Sequence, residues 1–273
     1  MNKQELEERR DKVVKLYTQE DKSINQIANE LNIDWATVKR DLINREIKIQ
    51  KIRNQHKKAN GVSNELFKKI DNSDSAYWLG FLYADGSIRK DRNEINLDLQ
   101  ARDIQSIKDF HDFCNNQNAI REHKINRNGK TYISYTSGFS NHDVKENLIS
   151  LGCTPKKSLI LSFPTESQVP TEFLYDFVRG YIDGDGCIQY NFDKFRYQII
   201  ILGTKDFLSG LMMRLKLFEH TTISKDNTSN IYKMTICGKH YVFSLLEKLY
   251  EGSKYHLQRK FEIYEKAKRA YNK

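Results

Sequence analysis

The segments SAYWLGFLYADGSI (residues 75–88) and YDFVRGYIDGDGCI (residues 175–188) decide the fold of this chain, because they are two copies of one pattern. The copies match position for position at an offset of 100 residues. Each contains an apolar stretch of helical length that ends in an aspartate, Asp85 or Asp185, followed by glycine. Such self-similarity over a helix and its end indicates an internal duplication.

The repeat continues downstream, so the chain contains two copies of a larger unit. Each motif helix is followed by two strand-like segments, a helix, two more strand-like segments and a final helix. We predict an α+β fold with two pseudo-symmetric αββαββα halves, preceded by a small all-α domain. The predicted boundaries are 1–46 for the all-α domain, 47–74 for a basic linker, 75–151 for the first half, 152–171 for an inter-half linker, and 172–273 for the second half with a C-terminal helix.

Small residues lie on one face of each motif helix. Gly80 and Ala84 share a face in the first copy, and Gly180 and Gly184 share one in the second. Glycine lowers helix propensity, so its place here calls for a reason, and two helix backbones in close contact supply one. We expect the two motif helices to pack against each other about a pseudo-twofold axis.

That packing brings Asp85 and Asp185 together at the ends of the paired helices. Gly86 and Gly186 are then expected to turn the chain into the next strand, as glycines after helices commonly do. Two like carboxylates held close together repel each other, so the pair is stable mainly when divalent cations neutralise it. A simple Asp-Gly turn explains one motif but not two in matching helices. The sequence therefore predicts a metal site.

The doubled motif and its repeated unit resemble a single-chain LAGLIDADG homing endonuclease over residues 75–251. The resemblance implies a DNA phosphodiester hydrolase that makes metal-dependent double-strand breaks in a long, asymmetric site. It also implies that Asp85 and Asp185 are catalytic and bind Mg²⁺ (or Mn²⁺) together with the backbone carbonyls of Ala84 and Gly184. The sheets of both halves are expected to form a saddle over the major groove of double-stranded DNA.

In this family a basic residue near the end of the last strand assists each catalytic centre. Lys239 occupies that place in the second copy, whereas the first copy offers Asn141 or Phe139. We therefore expect asymmetric support and unequal cleavage of the two strands; a solvent-facing lysine in a turn is the alternative for Lys239. Tyr83 departs from the family at the first acidic position, which Asp183 keeps, but that residue is not the family's metal ligand.

Polar side chains cluster where a strand meets a helix in each half. Arg102-Asp103 aligns with Lys205-Asp206 at an offset of 103, and we expect both aspartates to cap the helices that follow. The candidate contacts with DNA bases or phosphates here are Gln100, Arg102, Gln198, Thr204 and Lys205.

The N-terminal region resembles a helix-turn-helix DNA-binding unit, whose last helix reads the major groove. It has three helix-like segments, with Asn32 in a tight turn that favours left-handed backbone and Asp34 as a helix cap. Any tight three-helix bundle gives similar spacing, and the basic run that follows is typical of a phosphate-tracking linker or of a solvated loop. The DNA-contact candidates are Trp35, Thr37, Lys39, Arg40, Lys48, Lys51 and Arg53.

The charge balance favours a polyanionic partner. Lys and Arg number 45 against 36 Asp and Glu, a formal charge of +9, which suits nucleic acid or an anionic membrane surface. No apolar run approaches the roughly 20 residues of a spanning helix, and the N-terminus lacks a signal-peptide core. The four cysteines form no CxxC pair. We expect a soluble, intracellular, monomeric protein with DNA as its partner and no membrane.

Two other functions are compatible with the same fold. A DNA-binding transcriptional regulator would keep the doubled scaffold without cleavage, although retention of both Asp85 and Asp185 favours the nuclease. An intron maturase would use the fold to assist RNA splicing, and assays of intron binding separate it from a nuclease.

Overall fold

The computed structural model describes residues 3–20, 22, 24–47, 61–127, 129–191, 196–225 and 231–271. The chain divides into two compact units, Met1–Lys57 and Lys58–Lys273. Three linker residues expected to contact DNA lie outside the described residues: Lys48, Lys51 and Arg53. None of the helices described is both long enough and apolar enough to cross a membrane.

The first unit is a three-helix bundle with an apolar core of its own. Asn32 adopts a left-handed conformation with φ 51° in the turn before the last helix. The Asp34 carboxylate accepts a hydrogen bond from the Ala36 backbone N–H at 2.7 Å. Both local predictions are thus confirmed. The helices are α1 (Lys3–Thr18), α2 (Ile24–Leu31) and α3 (Trp35–Asn44). The core consists of Val13, Leu16, Ile27, Ala28, Val38 and Leu42.

The second unit contains the two predicted copies, each with the order helix, two strands, helix, two strands, helix, and this prediction is confirmed. The first copy comprises α4 (Ser73–Ala84), β1 (Gly86–Ile88), β2 (Glu94–Gln100), α5 (Ile104–Phe113), β3 (Arg121–Arg127), β4 (Lys130–Ser140) and α6 (His142–Ser150). The second comprises α7 (Leu174–Asp185), β5 (Gly186–Asn191), β6 (Arg196–Gly203), α8 (Lys205–Arg214), β7 (Thr221–Lys225), β8 (Tyr232–Cys237) and α9 (Lys239–Tyr250), followed by α10 (Gln258–Tyr271).

Each copy forms a four-stranded antiparallel sheet, in the order β1-β2-β4-β3 or β5-β6-β8-β7. Gly86 pairs with Leu97, and Gly186 pairs with Ile201. Leu97 and Ile201 are therefore equivalent, and they lie 104 residues apart in the sequence. The offset of 103 that aligns Arg102-Asp103 with Lys205-Asp206 therefore does not hold in the strands that precede them. A one-residue slip exchanges the buried and exposed faces of a strand, so the register decides which side chains face outward.

Thr204, not Asp206, caps α8. Its hydroxyl oxygen accepts a hydrogen bond from the Phe207 backbone N–H at 3.1 Å. Asp103 precedes α5 but makes no capping hydrogen bond, because its carboxylate accepts from Arg259 instead, at 3.3 Å. The prediction that both aspartates act as helix caps is wrong.

The motif helices α4 and α7 pack backbone against backbone. A Cβ built on Gly80 would lie 1.9 Å from the carbonyl oxygen of Phe177, and one built on Gly180 would lie 2.0 Å from the carbonyl oxygen of Tyr77. Farther along, a Cβ on Gly184 would lie 2.3 Å from the Ala84 Cβ. The prediction of close contact through small residues is confirmed, and only glycine fits at the crossing.

Gly86 and Gly186 have a different role from the one predicted. Neither has a positive φ; Gly186 is extended, with φ −91° and ψ 153°. A Cβ on Gly86 would lie 2.5 Å from the Leu82 carbonyl oxygen, and one on Gly186 would lie 2.6 Å from that of Ile182. These glycines are needed for space where a strand starts directly on the end of a helix, not for left-handed backbone.

Gly80→Ala should destabilise the second unit strongly, because the new methyl group forces α4 and α7 apart. We expect a loss of about 3 kcal/mol or more in the free energy of unfolding, measured by urea denaturation. Gly252→Ala is the matched control: no atom lies within 4 Å of its Cβ, and its φ is +65°. That variant should lose only about 1–2 kcal/mol, from left-handed strain. Equal losses in the two variants would contradict the contact.

Candidate active site

Asp85 and Asp185 are adjacent at the ends of the two contacting helices. Asp85 is the residue that caps the C-terminus of α4, and Asp185 is the last residue of α7. A Cβ on Gly184, which precedes Asp185, would lie 3.1 Å from the Asp85 Oδ2 atom. Each carboxylate is therefore placed by the same glycine-mediated crossing, and both remain accessible to solvent.

The surroundings oppose the charged form of both carboxyls. Partial loss of hydration, together with the neighbouring Asp185, raises the pKa of Asp85 to about 6. Partial loss of hydration also raises the pKa of Asp185. Cations act in the opposite direction: Lys157 and Lys260 lower the pKa of both carboxyls, and Arg259 lowers that of Asp85.

These carboxylates fit a divalent cation. Among the described residues no group of three or more His, Cys, Asp and Glu side chains is placed to hold a metal ion. A cation at this place would thus be bound by Asp85 and Asp185, with backbone carbonyl oxygens completing its shell, and oxygen donors are what Mg²⁺ prefers. Its charge would favour the ionised form of both carboxyls, against the loss of hydration that raises their pKa values.

Two lysines occupy equivalent places beside the carboxylates. The Lys157 Nζ atom donates to the carbonyl oxygen of Gly86. The Lys260 Nζ atom donates to the carbonyl oxygen of the equivalent Gly186 at 2.6 Å and to that of Asp183 at 2.8 Å. Lys260 is buried, which lowers its pKa to about 8. Each half therefore contributes one lysine near the two aspartates.

The sequence reasoning missed these lysines and chose Lys239 instead. Lys239 begins α9, its Nζ atom lies 5.9 Å from the centroid of the Tyr271 ring, and it is not among the cations that shift the two aspartates. Asn141, its suggested counterpart, caps α6 by accepting from the Asp143 backbone N–H at 3.0 Å. The supporting role of Lys239 and the asymmetry expected from it remain predictions.

A signal for that pair was present in the sequence. The dipeptide Lys156-Lys157 follows the last helix of the first copy, and Arg259-Lys260 follows that of the second, at an offset of 103 residues. Both dipeptides lie outside the motifs and the strands on which the resemblance rests. Lys157 lies in the segment predicted to be only an inter-half linker.

The residue two positions before each aspartate anchors the segment that carries the lysine. The buried carboxylate of Asp183 accepts from the Tyr250 hydroxyl at 2.6 Å and from the Leu257 backbone N–H at 2.8 Å, just before Lys260. Tyr83 occupies the equivalent position and donates its hydroxyl to the Leu151 carbonyl oxygen, ahead of Lys157. The two halves reach the same arrangement with different side chains.

A polar cleft with a volume of about 280 Å³ opens beside the carboxylates. It is bounded by Asp85 and Gly184, by the predicted DNA contacts Gln100 and Arg102, and by Arg259. The structure therefore brings part of the predicted site together: Asp85, Gly184 (whose carbonyl is a predicted metal ligand) and two DNA-contact candidates line the same space.

The other candidates occupy separate places. Gln198 lies on the second sheet, where its side chain donates to Gln189 at 2.8 Å. The Thr204 hydroxyl is engaged in capping α8 and in a hydrogen bond to the Leu161 carbonyl oxygen, so it is not a free DNA contact. Lys205 is exposed at the start of α8. In the first unit, α3 carries Trp35, which is 56% exposed, with Thr37, Lys39 and Arg40.

Comparison with known proteins identifies part of this arrangement. Residues 172–250 match the family model of a LAGLIDADG-like domain. A search of curated proteins gave no match. Among solved structures, the homing endonuclease I-WcaI bound to its DNA recognition sequence aligns with 71% of this chain and 87% of its own, at 12% identity and a TM-score of 0.52.

The full-length DUF199/WhiA protein from Thermatoga maritima aligns with 76% of this chain at 16% identity and a TM-score of 0.44, and the chain spans 65% of that protein. The likeness to I-WcaI is one of fold. With its two equivalent four-stranded sheets on a central helix pair, the second unit has a two-halved LAGLIDADG fold.

Without divalent metal, the Asp85 carboxylate should destabilise the protein at neutral pH. Because its folded pKa is raised to about 6, the group contributes stability below its unfolded pKa, near 4, and that contribution is lost as pH rises through 6. We expect Asp85→Asn to be more stable than the native chain at pH 7 by about 1 kcal/mol, allowing for solvent screening, and equally stable at pH 4.

Thermal unfolding in EDTA and in Mg²⁺ measures this difference. Mg²⁺ should raise the midpoint of the native chain more than that of Asp85→Asn, because ligand binding to the folded state stabilises it. An Asp85→Asn variant that is less stable than the native chain in EDTA at pH 7 would contradict the electrostatic argument.

Proposed function

We propose that the protein is a metal-dependent DNA endonuclease that makes double-strand breaks in a long, asymmetric site. The observation that carries the proposal is the pairing of Asp85 and Asp185, held together by a backbone contact although each opposes the charge of the other. A purely structural role gives no reason to keep two such carboxylates exposed, one of them lining a cleft.

The chemistry follows from these groups. Divalent cations bound by two carboxylates can orient a water molecule, stabilise charge on a phosphodiester and assist the leaving oxygen. Asp85 and Asp185, with the carbonyls of Ala84 and Gly184, would hold such cations. Lys157 and Lys260 add positive charge on either side, where it favours the negative charge that develops on phosphate.

Recognition of DNA is supported by charge and fold. The chain carries a net charge of +9, and the homing endonuclease of the same fold is bound to its DNA recognition sequence. Because one chain contains both halves, a monomer supplies a carboxylate and a lysine for each DNA strand. We propose that Gln100, Arg102, Gln198 and Lys205 contact DNA from the second unit, and that α3 of the first unit acts as the recognition helix of a helix-turn-helix.

Cleavage tests the central proposal. Incubation of the protein and Mg²⁺ with a randomised duplex library, followed by sequencing of the cut ends, should yield one recurrent site. On that site Asp85→Asn should reduce cleavage by at least about 100-fold, because it weakens the metal site. Asp91→Asn is the matched control, since Asp91 is an exposed aspartate paired with Arg89 and should leave the rate unchanged.

The same assay distinguishes the contribution of Lys157 from that of Lys239. Lys157→Met should lower the rate at saturating DNA by about 10- to 100-fold, whereas Lys239→Met should not change it. A regulator or a maturase would bind DNA or intron RNA tightly without cutting the library. Recurrent binding with no Mg²⁺-dependent cutting would therefore overturn the nuclease proposal.

The role of the first unit is tested by salt dependence. Replacing Lys39 and Arg40 on α3 with alanine removes two candidate phosphate contacts. The slope of log affinity against log salt should become shallower by about 2, with the cleavage rate of bound DNA unchanged. Replacing Lys12 and Lys15 on α1 instead is the control of equal charge, and an equal change in slope would show that only net charge matters.

A further inference from the structure

The outward faces of the two sheets differ at equivalent positions. Leu97 and Ile201 are equivalent by register, so Asn96 corresponds to Ile200 and Asp98 to Leu202. In both strands the flanking residues are buried against the helices, and these four side chains lie on the opposite face. The same surface is thus polar in one half and aliphatic in the other.

In the first sheet the outward residues are engaged in polar contacts. The Arg121 guanidinium donates to the Asn96 Oδ1 atom at 2.9 Å, and the Thr136 hydroxyl donates to the Asp98 carboxylate at 2.5 Å. Ser134 also donates to Asp98, at 3.4 Å. A partner of this face must offer donors and acceptors to such groups.

In the second sheet Ile200 has neutral cross-strand neighbours, whereas Leu202 lies opposite Lys233. Cys187 and Thr235 flank Ile200 on the two neighbouring strands. Leu202 is 38% exposed, whereas Ile199 and Ile201 are fully buried on the other face. Ile200 and Leu202 therefore do not fill the core of this half, and their apolar surface faces outward.

The charge around the aliphatic pair has one sign. Strands β5, β6, β7 and β8 contain no Asp or Glu among their described residues, but Arg196 and Lys233 lie on the same face as the pair by strand alternation and register. Strands β1 to β4, by contrast, contain Glu94, Asp98 and Glu122. A second copy of the same face would set cations against cations, so the surface fits a polyanion that also offers apolar groups.

We propose that this face reads a thymine-rich half-site, with Ile200 and Leu202 contacting the 5-methyl groups of thymine in the major groove. The inference rests on the DNA recognition in the proposed function and names what one half recognises. The thymine methyl is the apolar group that a major groove presents, and aliphatic side chains discriminate it from cytosine and purines. The surrounding cations hold the phosphates without reading sequence.

Binding without cleavage tests this inference. The full chain in EDTA is used to enrich sites from a randomised duplex library, and one half of the consensus should be rich in thymine. Replacing those thymines with uracil removes only the methyl groups, and each should weaken affinity roughly fourfold, the effect of leaving one methyl group unburied. Uracil in the other half-site should have no effect.

A double variant assigns the effect to this sheet. Ile200→Ser with Leu202→Ser removes the aliphatic groups that contact the thymine methyls and should abolish the uracil penalty. Met213→Gln, at an exposed apolar position on α8, should retain the penalty. The proposal is overturned if uracil has no effect on an enriched site, or if the double variant keeps the penalty.

The outcomes separate the two proposals. A thymine-rich site that shows the uracil penalty but is not cut in Mg²⁺ supports the reading of the second sheet and overturns only the nuclease function. A site that is cut but shows no uracil penalty supports the nuclease function and overturns the reading of thymine by the second sheet. Failure to enrich any sequence overturns both.

Discussion

The backbone contact between α4 and α7 is the constraint on which the second unit depends. Gly80 meets the carbonyl of Phe177 and Gly180 meets that of Tyr77, so the helices approach more closely than any Cβ would permit. Each helix leads directly into the first strand of its sheet, through Gly86 or Gly186. The single crossing therefore fixes the carboxylates at its end and joins the two sheets to the helices that carry those carboxylates. Packing one or two helical turns away keeps the two carboxylates close together despite their electrostatic repulsion.

Much of this was predictable because it depends on local patterns repeated in the chain. Two copies of one motif predicted the duplication, and small residues at Gly80 and Gly180 predicted close packing. The lysines were harder to predict, since Lys156-Lys157 and Arg259-Lys260 repeat in the sequence but nothing local indicates that Lys157 and Lys260 reach the carboxylates. Their positions depend on tertiary hydrogen bonds to strand carbonyls.

The strand register was the second limit on prediction. A gap between the copies can be placed at several positions in a sequence alignment, but only hydrogen bonding decides where the equivalence of Leu97 and Ile201 lies. The face presented by Ile200 follows from that register alone. The role of Thr204 as a cap, in place of Asp206, also depends on where the strand ends.

The equivalent positions of Tyr83 and Asp183 have a consequence for how the molecule can change over time. In an assembly of identical subunits every substitution appears twice, which confines recognition to palindromes. Here the tyrosine anchors one half through a carbonyl and the aspartate anchors the other through an amide and a hydroxyl. The two halves thus use different hydrogen bonds at equivalent positions, although they share the same helix crossing. With both copies in one chain, the halves can differ at such positions, but at the crossing glycines neither helix can change without displacing the other.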